Sequence, residues 1–285
     1  MSRIVYVNGA FVPEAEAKVS VFDRGFLFAD GVYEVTAVIG GKLLDFAAHL
    51  TRLRRSLAEL RLASPMEDGA ILDLHRELVA RNAIDLGHVY MMVTRGEADR
   101  DFAFPPEDTA PSFVLFTQSR KSIETPEVER GLKVATVPDL RWARRDIKTI
   151  QLLYPSMAKM EARRQGMDDA WMVEDGFVTE GTSNNAYIVT QDDAIVTRSL
   201  SNAILHGITR AAVLRTAAEA GLRVEERAFT VDEAKTAREA FITSAGAFVT
   251  PVVAIDGTGI GTGRPGELTK RMRAHYLEEA IRTAI

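Results

Sequence analysis

Cysteine is absent from all 285 residues. That absence excludes disulfides, a thiolate nucleophile, iron–sulfur clusters and cysteine-ligated zinc. The histidines are scattered. His49, His75, His88, His206 and His275 show no HxH or HxxxH spacing, so no metal centre is expected. Positive charge is in short supply. The 35 Lys and Arg are outnumbered by 40 Asp and Glu, and a net charge of -5 argues against nucleic acid as a partner. No apolar run approaches the length of a membrane span, so no membrane partner is expected. The opening Ser2-Arg3-Ile4-Val5-Tyr6 reads as a strand rather than a signal peptide. A cytoplasmic protein is the expectation.

What is present is ordinary globular material, with 46% hydrophobic and 26% charged residues. The length suggests two domains, each able to bury a core. Asn8-Gly9 between Ile4–Val7 and Phe11–Val12 signals a hairpin. Gly31–Ile39 reads as a strand turning through Gly40-Gly41 into Lys42–Leu44. Phe46, Leu50, Leu53, Leu57 and Leu60 recur at helical spacing behind Asp45, a candidate N-cap. Ser64-Pro65-Met66-Glu67 predicts a capping box opening a second helix. His88–Thr94 and Ser112–Thr117 read as buried strands. The polar stretch from Gln118 to Arg130 is taken as a linker. The expected domains are 1–120 and 131–285, joined by 121–130. Strands are expected at Lys133–Val137, Asp169–Val173, Ala186–Thr190, Ala194–Thr197, Arg223–Phe229, Phe241–Ser244 and Val249–Ile255. Helices are expected over Gly207–Ala220 and from Glu267 to Thr283. Alternation without a regular βαβ rhythm points to an α+β fold.

Among chemically useful groups, the Gly257–Gly263 run lacks the Lys-Ser/Thr of a phosphate loop and reads as a flexible hairpin. Lysine is more informative. Only eight of the 35 basic residues are lysines; most of them lie among polar neighbours, whereas Lys148 sits just before a mostly apolar stretch. A lysine in such surroundings is a candidate Schiff-base nucleophile, although a snorkelling lysine would look the same. Glu180 stands at a strand end before Gly181-Thr182-Ser183-Asn184-Asn185. Turn chemistry accounts for that run, and so does an acid paired with a cofactor ring nitrogen.

Asp146-Ile147-Lys148 and Glu180-Gly181-Thr182-Ser183-Asn184-Asn185 resemble the lysine and glutamate motifs of class IV, fold-type IV pyridoxal-phosphate aminotransferases. Asp23-Arg24-Gly25-Phe26, running into Asp30-Gly31-Val32-Tyr33-Glu34-Val35, resembles the family's N-terminal signature. His49-Leu50-Thr51-Arg52-Leu53 and Gly207-Ile208-Thr209-Arg210 resemble its phosphate-binding segments. Five motifs in the family's order carry far more weight than any one. Gly31–Val35, Val93–Gly96 and Ile147-Lys148 look most like the D-amino-acid transaminase subgroup. The resemblance implies a two-domain architecture, with a smaller N-terminal α/β domain and a larger C-terminal domain containing a barrel-like β core. It also implies a homodimer.

The same resemblance implies roles. Lys148 would hold pyridoxal 5'-phosphate covalently and move the substrate proton. Glu180 would pair with the ring nitrogen, and Leu205 would pack under the ring. Ile208, Thr209, Arg52, Ser244 and Ala245 would surround the phosphate. Tyr33 and Arg100 match two arms of the subgroup's carboxylate trap. The third arm, a histidine, is replaced by Phe102, which cannot donate a hydrogen bond. Arg141 and Arg24 are further cations that could serve the carboxylate. The implied reaction moves an amino group between a D-amino acid of the D-alanine or D-glutamate type and 2-oxoglutarate or pyruvate. Side activity on (R)-amines is also expected. The alternatives on this scaffold are branched-chain L-amino-acid transamination and 4-amino-4-deoxychorismate lyase activity.

Overall fold

The computed structural model describes residues 2–285. The chain divides into two compact units. One comprises Met1–Ser122, Ile147–Gln151 and Thr283–Ile285, and the other comprises Ile123–Asp146 and Leu152–Arg282. The segment carrying Lys148 thus belongs to the first unit.

The first unit contains strands β1 (Ile4–Val7), β2 (Ala10–Pro13), β3 (Gly31–Ile39), β4 (Lys42–Leu43), β5 (Leu86–Thr94) and β6 (Ser112–Ser119), with helices α1 (Arg24–Phe28), α2 (Phe46–Glu59) and α3 (Asp68–Arg81). Its sheet runs in the order β2-β1-β6-β5-β3-β4. Asn8 and Gly9 both take positive φ in the first hairpin, which fits Asn-Gly and few other pairs. Strand alternation sends Val32, Glu34, Thr36 and Val38 inward while Tyr33 and Val35 stay half-buried. The apolar faces of α2 and α3 supply Leu50, Leu53, Leu57, Ile71 and Leu78 to the same core. Asp45 does stand at the N-cap of α2, but at φ 51 and without a side-chain bond to the helix. The Ser64 capping box does not form. Its hydroxyl donates to the Met66 carbonyl, Glu67 stays extended, and α3 starts at Asp68.

In the second unit the helices are α4 (Pro126–Arg130), α5 (Leu153–Arg164), α6 (Ile208–Glu219), α7 (Val231–Lys235) and α8 (Glu267–Arg282). The strands are β7 (Leu132–Pro138), β8 (Asp169–Glu174), β9 (Phe177–Gly181), β10 (Asn185–Val189), β11 (Ile195–Thr197), β12 (Val224–Glu226), β13 (Glu239–Ser244), β14 (Phe248–Ile255) and β15 (Thr258–Gly259). They form one curled, mixed sheet in the order β12-β11-β10-β13-β14-β7-β8-β9, with β15 beside β14. Trp171, Phe229, Ile188 and Val252 lie in its core. The glycine run 257–263 contributes β15 and its turns, as a hairpin should. Most strand bounds move by a residue or two, and two differences are larger. The linker region contains the short helix α4, and the Arg223–Phe229 strand shrinks to Val224–Glu226. The architecture is α+β.

Candidate active site

In the first unit, Lys148 is placed by backbone pairing to β3. Tyr33 donates its N–H to the Lys148 carbonyl at 3.0 Å, and Ile150 donates to the Gly31 carbonyl at 3.1 Å. Ile147 is buried in the core of this unit, which pins the segment from one side. The Lys148 ammonium lies over the Tyr33 ring, 4.1 Å from its centroid. A cation held on an aromatic face is attracted by the ring quadrupole without being locked in an ion pair. The amine is therefore oriented by Tyr33 and still half-buried rather than sealed.

Arg52 follows from the opposite face of β3. Its Nε and Nη2 donate to the two oxygens of Glu34, each at 2.7 Å, and His49 Nδ1 meets Glu34 Oε2 at 2.7 Å. All three residues are buried. Burial raises the carboxyl pKa, and the Arg52 and His49 charges and hydrogen bonds lower it, with a net fall to about 2. Glu34 is thus a permanent anion that orients the Arg52 guanidinium plane. The helix register explains this: Arg52 and His49 sit three apart on the side of α2 that faces the sheet.

In the second unit, Glu180 sits next to last in β9 and is 3% exposed. Arg141 Nη1 donates to Oε1 at 2.6 Å and Asn185 Nδ2 to Oε2 at 2.9 Å. The Leu205 N–H donates to both oxygens, at 3.1 and 3.2 Å. Arg141 is itself clamped on Asp139 through Nε and Nη2 at 2.9 and 2.6 Å. Burial pushes the Glu180 carboxyl up, against the lowering effect of Arg141. Leu205 leads by two residues to Gly207, the N-cap of α6, which has no side-chain cap. The first-turn N–H groups of Ile208 and Thr209 follow it, and such a turn favours an anion. Gly207 is required because a Cβ there would overlap the Asn185 amide oxygen. Ser244, Ala245 and Gly246 form the turn from β13 to β14, where the Ser244 hydroxyl accepts the Ala247 N–H at 3.0 Å.

The structure gives the remaining candidates definite surroundings. Arg100 is exposed, with its guanidinium 5.3 Å from the Phe28 ring and 5.6 Å from the Phe102 ring. Phe102 is 82% exposed. Arg141 and Arg24, considered as spare cations, are already paired with Glu180 and Asp139 and with Asp30 respectively. Within the Glu180 motif, Thr182 and Asn184 bond the Asp169 carboxylate and shape the turn, and only Asn185 reaches Glu180. Sequence reading missed Asp139, Glu34 and the clamping role of Arg141. Their only signal was a charged residue in an otherwise apolar strand, which is visible at Glu34 alone.

The chain belongs to the family described as amino-transferase class IV, whose model matches residues 31–255. Among curated relatives, it is 38% identical over 274 residues to a D-alanine aminotransferase of Staphylococcus aureus (strain N315), covering 95% of this chain and 96% of that protein. It is 40% identical to a D-alanine aminotransferase of Bacillus licheniformis, covering 94% of each. Its fold is similar to that of the branched-chain aminotransferase from the thermophilic archaeon Thermoproteus uzoniensis, solved with norvaline. There the TM-score is 0.89 at 26% identity, over 99% of this chain and 95% of that one.

Proposed function

We propose that the chain transfers an amino group between a D-amino acid, of the D-alanine or D-glutamate type, and 2-oxoglutarate or pyruvate, using pyridoxal 5'-phosphate. The observation that carries this reading is the match, over almost the full length, to D-alanine aminotransferases. The residues suit the cofactor. An uncapped helix N-terminus suits its phosphate, and a buried carboxylate held in one orientation by Arg141, Asn185 and the Leu205 N–H suits a protonated ring nitrogen. The bound cofactor supplies an electron sink for the carbanion at the substrate Cα.

This chain's residues do the rest. Lys148 is the covalent anchor, and its amine then carries the proton to and from the substrate Cα. Tyr33 orients that amine. Glu180 holds the proton on the ring nitrogen, and Arg141 and Asn185 hold Glu180. Leu205 would pack under the ring. Arg52, Ile208, Thr209, Ser244 and Ala245 bind the phosphate. Arg100 takes the substrate carboxylate, with Tyr33 beside it, and Phe102 leaves that grip without its third donor. That gap is the reason to expect weak side activity on (R)-amines. The working form proposed is a cytoplasmic homodimer. No helix among the described residues is long and apolar enough to cross a membrane.

The test is the visible absorbance of the purified protein, titrated with D-alanine, L-leucine and an (R)-amine. D-alanine should bleach the cofactor band. A response to L-leucine alone would overturn the D-specific reading in favour of branched-chain chemistry. Release of pyruvate and 4-aminobenzoate from aminodeoxychorismate would point to the lyase. Lys148→Ala should abolish both the native band and turnover.

A further inference from the structure

Residues 95–111 link β5 to β6 without a helix or named strand, yet they carry Arg100 and Phe102. A chain of that length must be fixed by something if it is to present a cation reproducibly. Much of that fixing comes from one buried side chain. Arg24, in α1 and 3% exposed, donates from Nη1 to the carbonyl of Asp101 at 2.8 Å and to that of Ala103 at 3.3 Å. These two carbonyls flank Phe102. The guanidinium also lies 4.5 Å from the centroid of Phe28, the ring against which Phe102 packs edge-on and over which Arg100 sits. Two residues further along, Phe104 lies 3.7 Å from the Arg95 guanidinium.

Arg24 is held in its turn. Its Nε donates to Asp30 Oδ2 at 2.8 Å, and Arg95 donates from Nε to the same oxygen at 2.7 Å. Arg95 continues to the Leu60 and Arg61 carbonyls beyond the end of α2. The loop is therefore tied through Asp30 to the rigid part of its own unit. Removing Arg24 leaves Asp30 still paired with Arg95, so no orphan buried charge results.

We propose that Arg24 is a positioning residue for substrate recognition, fixing the 99–104 backbone so that Arg100 and Phe102 are presented in one geometry. This rests on the reading of Arg100 as the carboxylate-binding group. Arg24 touches neither substrate nor cofactor in this role. A lysine could keep the charge beside Asp30 but has no planar fork to hold Asp30 through one nitrogen and the two carbonyls through another at the same time.

The experiment compares wild type, Arg24→Met, Arg24→Lys, Arg100→Met and the Arg24→Met/Arg100→Met double variant. For each, KM and kcat are measured with D-alanine, and amide hydrogen exchange is followed at residues 99–104. Arg24→Met should raise KM about tenfold while kcat changes less than about threefold, because misplacing a binding group weakens binding before chemistry. Exchange at 99–104 should speed up, Arg24→Lys should not restore KM, and the double variant should be no worse than Arg100→Met. An unchanged KM with unchanged exchange in Arg24→Met overturns the proposal, as does full rescue by Arg24→Lys. If Arg100→Met raises KM and Arg24→Met does not, the proposal alone fails. If Arg100→Met leaves KM unchanged, the carboxylate reading falls and the proposal falls with it. Should Arg24→Met not fold, Phe104→Leu loosens the loop from the Arg95 side and must give the same rise in KM. A normal KM there is equally fatal.

Discussion

At Glu180 a carboxylate 3% exposed to solvent accepts from Arg141, Asn185 and the Leu205 N–H. These donors hold it in one orientation, and burial raises its pKa. Glu180→Gln keeps the size but removes the charge that would hold the ring proton. We expect it to lower kcat by roughly 100-fold while leaving the protein folded, read from steady-state rates and the circular dichroism spectrum. Arg141→Met should act on the same centre from one step away. It leaves Asp139 and Glu180 facing each other without their shared cation, so the thermal midpoint and kcat should fall together, with a stability loss of about 3 kcal/mol. Lys148 and Glu180 were legible in the sequence because their motifs are local runs. Arg141 was visible only as a spare cation, since its acceptor Glu180 lies 39 positions away.

Elements set the site through their ends and edges. The α6 N-terminus depends on Gly207, where a Cβ would overlap the Asn185 amide that also serves Glu180 and the Leu205 carbonyl. Gly207→Ala is therefore expected to cost about 2 kcal/mol of stability by overpacking. It should also weaken pyridoxal-phosphate binding about tenfold, measured by absorbance titration of the apoprotein. Helices whose apolar stripe faces the core, such as α2, were readable from spacing. Helix α5 was not, because its pattern is inverted. Leu153, Met157 and Met160 are exposed on the chain, and Ala158 and Ala162 pack against the sheet. Pro155 in its first turn adds a misleading break, although proline is tolerated there. The Ser64 box failed for a related reason, since its hydroxyl found a nearer acceptor in the Met66 carbonyl.

For the molecule as a whole, acid stability should report on two groups buried in the first unit. His75 is fully buried, with Nδ1 bonded to the Ile71 carbonyl at 2.8 Å, and burial drops its pKa from 6.5 to about 4. Because the unfolded chain binds this proton first, stability falls as pH drops through 6.5 and levels off below about 4, a loss of about 3 kcal/mol. Chemical denaturation at pH 7 and pH 4 measures it, and His75→Leu should remove that component. Glu34 has the opposite chemistry and the same sign. Its folded pKa near 2 lies below the usual 4.5, so its stabilisation persists at neutral pH and disappears only as pH falls from 4.5 toward 2.

By itself the sequence determined most element types, though not helices α4 and α5, together with the α+β class and the lysine and glutamate motifs. Backbone propensity, side-chain periodicity and short motifs act over a few residues. Only the tertiary structure decided which acid each arginine meets. Arg52 goes to Glu34, Arg141 to Glu180 and Arg24 to Asp30 and the 101–103 carbonyls. The physical reason is that a buried guanidinium must satisfy its donors wherever strand register and loop path bring acceptors within about 3 Å. No spacing along the chain encodes those meetings.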